Sequence, residues 1–277
     1  MQIIDFHTHI FPGEVLKSRE SFFDDPGFKL LYSSSKSLTT GHTGLADYIL
    51  KNDLDAAVAM SFPWAGEKHC LHQNEYMASI SGHGSIFPFG MIPFSGSKSV
   101  RRYAEDIKNS GLYGIGEVAF YKNGMNKSAI KFLREVLEAS AEFSLPLCLH
   151  LNEPVGHQYP GKYEPALAAV YEIIVSVPGA MVILSHWGGG LLFYELMPEA
   201  CETLKNVYYD TAASPYLYRD GIYGASVKIT GADKILFGSD YPLLGVGRYK
   251  IIIEQEVHTE SDRKKIMGLN AKRILNI

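Results

Sequence analysis

Asp5-Phe6-His7-Thr8-His9 places two imidazoles two residues apart in a run that reads as a strand. Side chains along a strand alternate between its faces, so His7 and His9 point the same way and can reach one ion. Neutral imidazole is a good ligand for zinc, iron, nickel or manganese, and an added carboxylate suits such a site to catalysis rather than structure. His150 and Asp240, each just past a later aliphatic run, would complete the set. An isolated histidine is more often a hydrogen-bonded core residue than a ligand, and one H-x-H pair is weak evidence. The recurrence of histidines and carboxylates at the ends of several strands is what points to a divalent metal.

Bringing these residues together requires a particular set of elements. Short β-branched or aliphatic runs recur at 2–6, 56–62, 86–93, 113–118, 145–149, 181–184, 206–209 and 234–237, giving eight predicted strands. Their near-continuous hydrophobicity suits parallel strands covered on both faces. Amphipathic stretches lie between them at 44–52, 67–81, 97–110, 164–177, 191–204 and 261–275. Another starts at Asn126, a good helix cap, with Ile130, Leu133, Val136, Leu137 and Ala141 at helical spacing. This α/β alternation, without a linker or low-complexity segment, predicts one domain over 1–277. An open doubly wound sheet would alternate in the same way. His7, His9, Glu117, His150, His186, Asp210 and Asp240 decide between the two, because a closed (β/α)₈ TIM barrel gathers all of those strand ends at one mouth. Residues 11–42, with Pro12, Asp25-Pro26 and Ser33-Ser34-Ser35, are too long for a turn and read as an insertion, a lid over that mouth.

Composition argues against several other classes. With 46% apolar and 20% charged residues, the chain is set to fold rather than to stay disordered. A formal charge of −4, with no basic run longer than Arg263-Lys264-Lys265, argues against nucleic acid as a partner. Cys70, Cys148 and Cys201 are an odd number without C-x-x-C spacing, so neither a disulfide framework nor a zinc knuckle is indicated, and a reducing cytoplasm fits. The first residues have neither the basic nor the apolar stretch of a signal sequence. The most apolar region, 170–197, is interrupted by Glu172, Pro178, His186 and a glycine triplet, so no membrane span is expected.

Asp-Phe-His-Thr-His, the strand-end His150, Ser185-His186-Trp187-Gly188-Gly189 and Phe237-Gly238-Ser239-Asp240-Tyr241-Pro242 together resemble the amidohydrolase superfamily over nearly the whole chain. With the terminal Asn270-Ala271-Lys272-Arg273, the His-x-Gly-Gly and Gly-Ser-Asp-Tyr-Pro segments resemble its amidohydrolase-related branch. That branch includes aminocarboxymuconate-semialdehyde decarboxylase and contains hydrolases and non-oxidative decarboxylases. The resemblance implies that His7, His9, His150 and Asp240 bind the catalytic metal, with His186 a nearby ligand or acid–base group. Gly114-Ile115-Gly116-Glu117-Val118 departs from the decarboxylases and is more similar to TatD-type hydrolases. Glu117 would there bridge two metals, or else orient a ligand histidine or pair with a cation.

A divalent ion held in this way lowers the pKa of water toward about 7 and supplies hydroxide at neutral pH. Asp240 is the residue expected to take that proton and pass it to a leaving group, with His186 as oxyanion partner or alternative donor. Hydrolysis of an ester, lactone or amide of a small molecule is therefore the first expectation. The alternative is release of carbon dioxide from an unsaturated or aromatic acid; an alternative of another class is a barrel that has lost catalysis and only binds. Zinc is the favoured metal, with manganese or iron suited to the same ligands, as one ion or two. Asn152 and His157, in the loop after the fifth strand, are expected to orient substrate, and Asp210 to help bind it by hydrogen bonding. His69, His72 and His83 surround a helical segment away from the strand ends and are set aside. The Gly188-Gly189-Gly190 triplet, without G-x-G-x-x-G or a Walker lysine, reads as a closely packed turn rather than a phosphate loop. The outer helices leave assembly into a homo-oligomer open.

Overall fold

Each of the eight aliphatic runs forms a strand. In the computed structural model, which describes residues 1–82 and 84–277, these are β1 (Ile4–His9), β2 (Ala56–Met60), β3 (Ile86–Pro88), β4 (Ile115–Val118), β5 (Leu147–Leu149), β6 (Val182–Leu184), β7 (Val207–Asp210) and β8 (Ile235–Leu236). Pairing is parallel and follows sequence order, from β1 to β3 and from β4 to β8. Shorter contacts close the two seams. Gly90 N donates to Gly114 O at 2.9 Å and Gly116 N to Gly90 O at 2.8 Å between β3 and β4; Phe6 N donates to Phe237 O at 2.8 Å and Asp240 N to His7 O at 2.9 Å between β8 and β1. The sheet is thus a closed TIM barrel, and the polar strand ends share one mouth.

Alternation along the strands sorts the apolar residues into two layers. Ile4, Phe6, Val58, Met60, Cys148, Ile183 and Leu236 belong to one cluster, and Ala57, Ala59, Leu147, Leu149, Leu184 and Phe237 to the other. The first is the barrel interior: the Phe6 ring meets Phe89, just past β3, edge-on at 5.9 Å, although β1 and β3 are not neighbours. The second packs beneath the helices. One of these, Lys127–Glu142, starts where Asn126 accepts from Ser128 N and Ala129 N, each at 3.0 Å, and it buries Leu133, Val136 and Leu137.

Several local expectations change. His7 and His9 lie within β1 rather than just past it, while Glu117 lies within β4, inside the run read as the fourth strand. Both strands shift register there, between Asp5 and Thr8 and between Ile115 and Val118, and such irregularities re-aim side chains beside functional sites. The expected helix over 191–204 is a 3₁₀ segment, His186–Leu196, followed by Pro198–Thr203, because Pro198 starts a helix but cannot continue one. The one over 261–275 is an α-helix, a π-turn and a second α-helix; a Cβ at Gly268 would come within 2.6 Å of Gln2 O, so the chain winds there to let β1 pass. Two helices, Ile222–Thr230 and Val246–Glu256, were not anticipated: the first contains Gly224, and the second carries the β-branched run Ile251-Ile252-Ile253.

The 11–42 segment is an ordered arm. It holds helices Gly13–Lys17 and Pro26–Tyr32 and a 3₁₀ turn, Arg19–Phe22. Asp25 caps the second helix by accepting from Phe28 N at 2.9 Å, and the fully buried Phe28 ring packs against Phe11, Phe62 and Trp64. His69 and His72 lie on helix Glu67–Ile80, where His69 pairs with Asp24 at 3.1 Å, and neither joins the polar strand ends; His83 lies outside the described residues. Among the described residues no helix is long and apolar enough to cross a membrane.

Candidate active site

Asp5 fixes the seam on which the site is built. Its carboxylate accepts from Ser239 N at 2.9 Å, Ser239 Oγ at 2.5 Å and Tyr48 OH at 2.9 Å, tying β1 to the turn after β8. Burial pushes Asp5 up to about 6 even though these bonds pull it down. The consequence is geometric: the His7–His9 pair is set against Asp240. His9 Nε2 lies 3.1 Å from His7 Nε2 and 3.3 Å from Asp240 Oδ1.

The opposite ring nitrogen of His7 is held from below. His7 Nδ1 bonds Asp210 Oδ2 at 2.7 Å, while Asp210 Oδ1 accepts from His186 N and Ala212 N, each at 3.0 Å. Asp210 is therefore fully engaged within the protein, and its expected substrate contact is corrected to a positioning role. Burial opposes a charge on His7, but the Asp210 and Glu117 carboxylates outweigh it and raise His7 well above the usual histidine range. His186 Nδ1 donates to Ala212 O at 2.9 Å, which turns Nε2 toward His150 Nδ1 at 3.1 Å.

Glu117 stands between these groups. Its Oε1 is 3.2 Å from His150 Nδ1 and 3.7 Å from both His186 Nε2 and His7 Nε2, and Oε2 is 3.8 Å from His9 Nε2. Burial would raise its pKa, yet the surrounding imidazoles hold it well below the usual carboxylate range. Asp240 is half-buried; desolvation would raise it, yet the His9 hydrogen bond with the charges of His7, His9 and His186 brings it down to about 2. Gly116 permits this crowding: its φ is +151°, and a Cβ would lie 2.7 Å from Cys148 Cβ. His186 and Asp240 also have left-handed backbones, φ 55° and 68°, the kind of strain that surrounding bonds hold in place at functional sites.

The donors fall into groups that suit a metal ion. His7, His9 and Asp240 form one triad and Glu117, His150 and His186 another, each with its ligand atoms within 4.8 Å of one another. His9 Nδ1 and His150 Nε2 are buried without a hydrogen-bond partner among the described residues. Imidazole nitrogens 3.1 Å apart and ringed by carboxylates need a positive charge between them, supplied by protons or by a divalent cation. Mixed imidazole and carboxylate donors fit zinc, manganese or iron.

Above the cluster opens a cavity of about 520 Å³. His9, Glu117, His150, His186 and Asp240 form its floor, and Tyr32, Phe62, Tyr121, Tyr159 and Tyr216 supply aromatic walls. Tyr32 brings the 11–42 arm into the wall, and the Tyr121 ring is 5.3 Å from that of His150.

A family model described as Amidohydrolase matches residues 4–277. The chain belongs to the amidohydrolase family. No curated protein matches this amidohydrolase. Among solved structures it is similar to 5-carboxyvanillate decarboxylase LigW from Sphingomonas paucimobilis, at 15% identity and a TM-score of 0.77 over 100% of this chain and 99% of that one. It is also similar to 2,6-dihydroxybenzoate decarboxylase from Rhizobium, at 16% identity and a TM-score of 0.71 over 100% and 99%. A dihydroxybenzoic acid decarboxylase from Polaromonas sp. JS666, with bound manganese and the inhibitor 2-nitroresorcinol, is 16% identical with a TM-score of 0.72 over 99% and 97%. At these identities the likeness is one of fold.

All six residues put forward as ligands of this amidohydrolase, His7, His9, Glu117, His150, His186 and Asp240, meet in one cluster. His157 lines the cavity, but Asn152 does not. Its side chain donates to Tyr163 O and accepts from Tyr163 N at 3.1 Å, so its expected substrate contact is corrected to pinning the 153–163 loop. The glycine triplet is a close-packed turn: from Trp187 to Gly190 the backbone is left-handed, and a Cβ at Gly189 would collide with Asn152 O. Sequence reasoning missed Cys148, which forms a further group with His7 and Asp210. Its place in β5 two residues before His150, which follows the strand's end, was the available signal. Burial pushes its thiol up to about 12, so it remains protonated beneath His7.

Proposed function

We propose that this amidohydrolase is a metal-dependent, non-oxidative decarboxylase of a small aromatic or unsaturated acid. One observation carries this: a cavity with flat aromatic walls closes directly onto a floor of imidazoles and carboxylates. The structural neighbours that are decarboxylases of aromatic acids support it over hydrolysis, the first expectation from sequence. His7, His9, His150 and Asp240 would hold the divalent ion, with Glu117 and His186 beside them. When bound, the ion supplies Lewis acidity, neutralising a substrate carboxylate and an adjacent oxygen.

The protein's own residues do the rest. Tyr32, Phe62 and Tyr121 pack against one another as a single aromatic wall for the substrate ring and keep water from it, and the 11–42 arm serves as the lid that carries Tyr32. Loss of carbon dioxide breaks the carbon–carboxylate bond and leaves its electron pair on the ring carbon, which then takes a proton. His186 is placed to deliver that proton: Nδ1–H is fixed on Ala212 O while Nε2 gains and gives up the second proton. Asp240, held at about 2, remains a carboxylate at neutral pH and stabilises the imidazolium form of His186, which takes its replacement proton from solvent.

The test is to load the protein with manganese or zinc and incubate it with hydroxylated aromatic acids. Carbon dioxide and the decarboxylated arene should appear in equal amounts. Acid release from esters or lactones, with no carbon dioxide from any acid, would overturn the proposal in favour of a second reading. That reading is hydrolysis at a two-metal centre, and the position of Glu117 between the two triads favours it. It requires two equivalents of metal, one of them lost in Glu117→Gln.

A further inference from the structure

The walls of the cavity are chemically unlike its floor. Among the described residues lining it, the carboxylates are Glu117 and Asp240, both at the floor, and neither a lysine nor an arginine is present. Two cations on the segments that frame the opening are engaged elsewhere. Arg19 Nη1 donates to Ser37 O at 3.0 Å, and Lys162 Nζ donates to Val155 O at 2.5 Å and His157 O at 2.9 Å. Both hold the loops that frame the opening. Toward the rim the lining turns apolar, with Leu38, Tyr216 and Leu243 all more than half exposed although they face one cavity. They come from three separate segments, the 11–42 arm, the short helix Ser214–Leu217 after β7 and the loop after β8.

We propose that the cavity selects acids charged at one end only. The acidic head lies at the floor, and an uncharged, extended apolar body runs up the aromatic walls to Leu38, Tyr216 and Leu243. A second carboxylate on that body would be desolvated against rings and aliphatic groups with no lysine or arginine among the lining residues and only the His157 imidazole on the walls to meet it, above a floor that already carries two carboxylates. Dicarboxylic acids are therefore rejected, in contrast to what the name 5-carboxyvanillate decarboxylase implies for that neighbour. The volume agrees, since about 520 Å³ lies within the roughly 300–1,000 Å³ of sites for drug-sized ligands and exceeds what one substituted ring fills. This inference rests on the acid-binding reading above, and the experiment separates the two.

Calorimetric titration of the metal-loaded protein would compare two matched probes. One is a hydroxybiphenyl monocarboxylate with its phenol beside the carboxylate; the other is the same molecule with a second carboxylate on the far ring. The monoacid should bind about tenfold or more tightly. Leu243→Arg, an exposed rim change that leaves the fold untouched, should shrink or reverse the ratio by strengthening the diacid. Equal or tighter binding of the diacid to the unaltered protein, or a ratio that Leu243→Arg leaves unchanged, would overturn the inference. Carbon dioxide is followed in the same samples. A tenfold preference without carbon dioxide from any acid keeps this inference and removes decarboxylation; efficient carbon dioxide release from the diacid keeps decarboxylation and removes this inference.

Discussion

At the floor of the cavity nearly every polar atom is fixed by another, whereas at the rim the side chains project from loops with few directed bonds. His7 is held through Nδ1 by Asp210, His186 through Nδ1 by Ala212 O, and Asp5 locks β1 to Ser239. The side chains of Leu38, Tyr216 and Leu243, by contrast, are each more than half exposed to solvent. The floor thus has the rigidity that chemistry requires, and the rim has the latitude that lets specificity change without disturbing the chemistry.

If this division is right, substitutions at the two levels should differ in kind as well as size. The paired His7→Ala/His9→Ala variant should retain no metal by elemental analysis and show no turnover, while its far-ultraviolet circular dichroism stays native. Retained metal would show that the ligands lie elsewhere. Asp240→Asn should lower kcat by about 10²–10⁴-fold with metal still present at saturating concentration, measured by product formation. Asp210→Asn should weaken metal binding by about 10–100-fold, with much of kcat recovered when metal is in excess; a kcat loss that excess metal does not repair would mean Asp210 does more than position His7.

Rim changes should fall on KM. Tyr216→Ala should raise KM about 3–10-fold with kcat nearly unchanged, because it removes part of a half-exposed apolar wall. A large kcat effect would extend the floor's rigidity to the rim. The smallest effect expected is from Lys162→Met, within about threefold in kcat/KM, because an exposed cation bonded to two carbonyls contributes little. A larger effect would mean that the loop carrying His157 depends on that latch.

Much of the floor was legible in the sequence because strand periodicity and the H-x-H spacing act over a few residues. The barrel followed from eight aliphatic runs, and the six donor residues from their places at strand ends. What escaped depends on contacts between distant segments. Asp210 and Asn152 read as substrate groups because nothing local reveals that one meets His7 and the other Tyr163. The aromatic walls are single tyrosines and phenylalanines scattered from Tyr32 to Tyr216, with no spacing to link them. The helix Ile222–Thr230 went unseen because its apolar face is short and interrupted by Gly224.

The Asp5–Ser239 contact joins residues 234 apart in sequence. His7 and His9 thus emerge well before Asp240 in synthesis, and they cannot meet it until the intervening seven strands are in order and the seam has closed. Contacts of such long range form late, since the entropy of the enclosed chain must be overcome first. A nascent or half-folded chain would accordingly be chemically silent, and recovery of the floor's geometry during refolding would report completion of the barrel rather than any earlier stage.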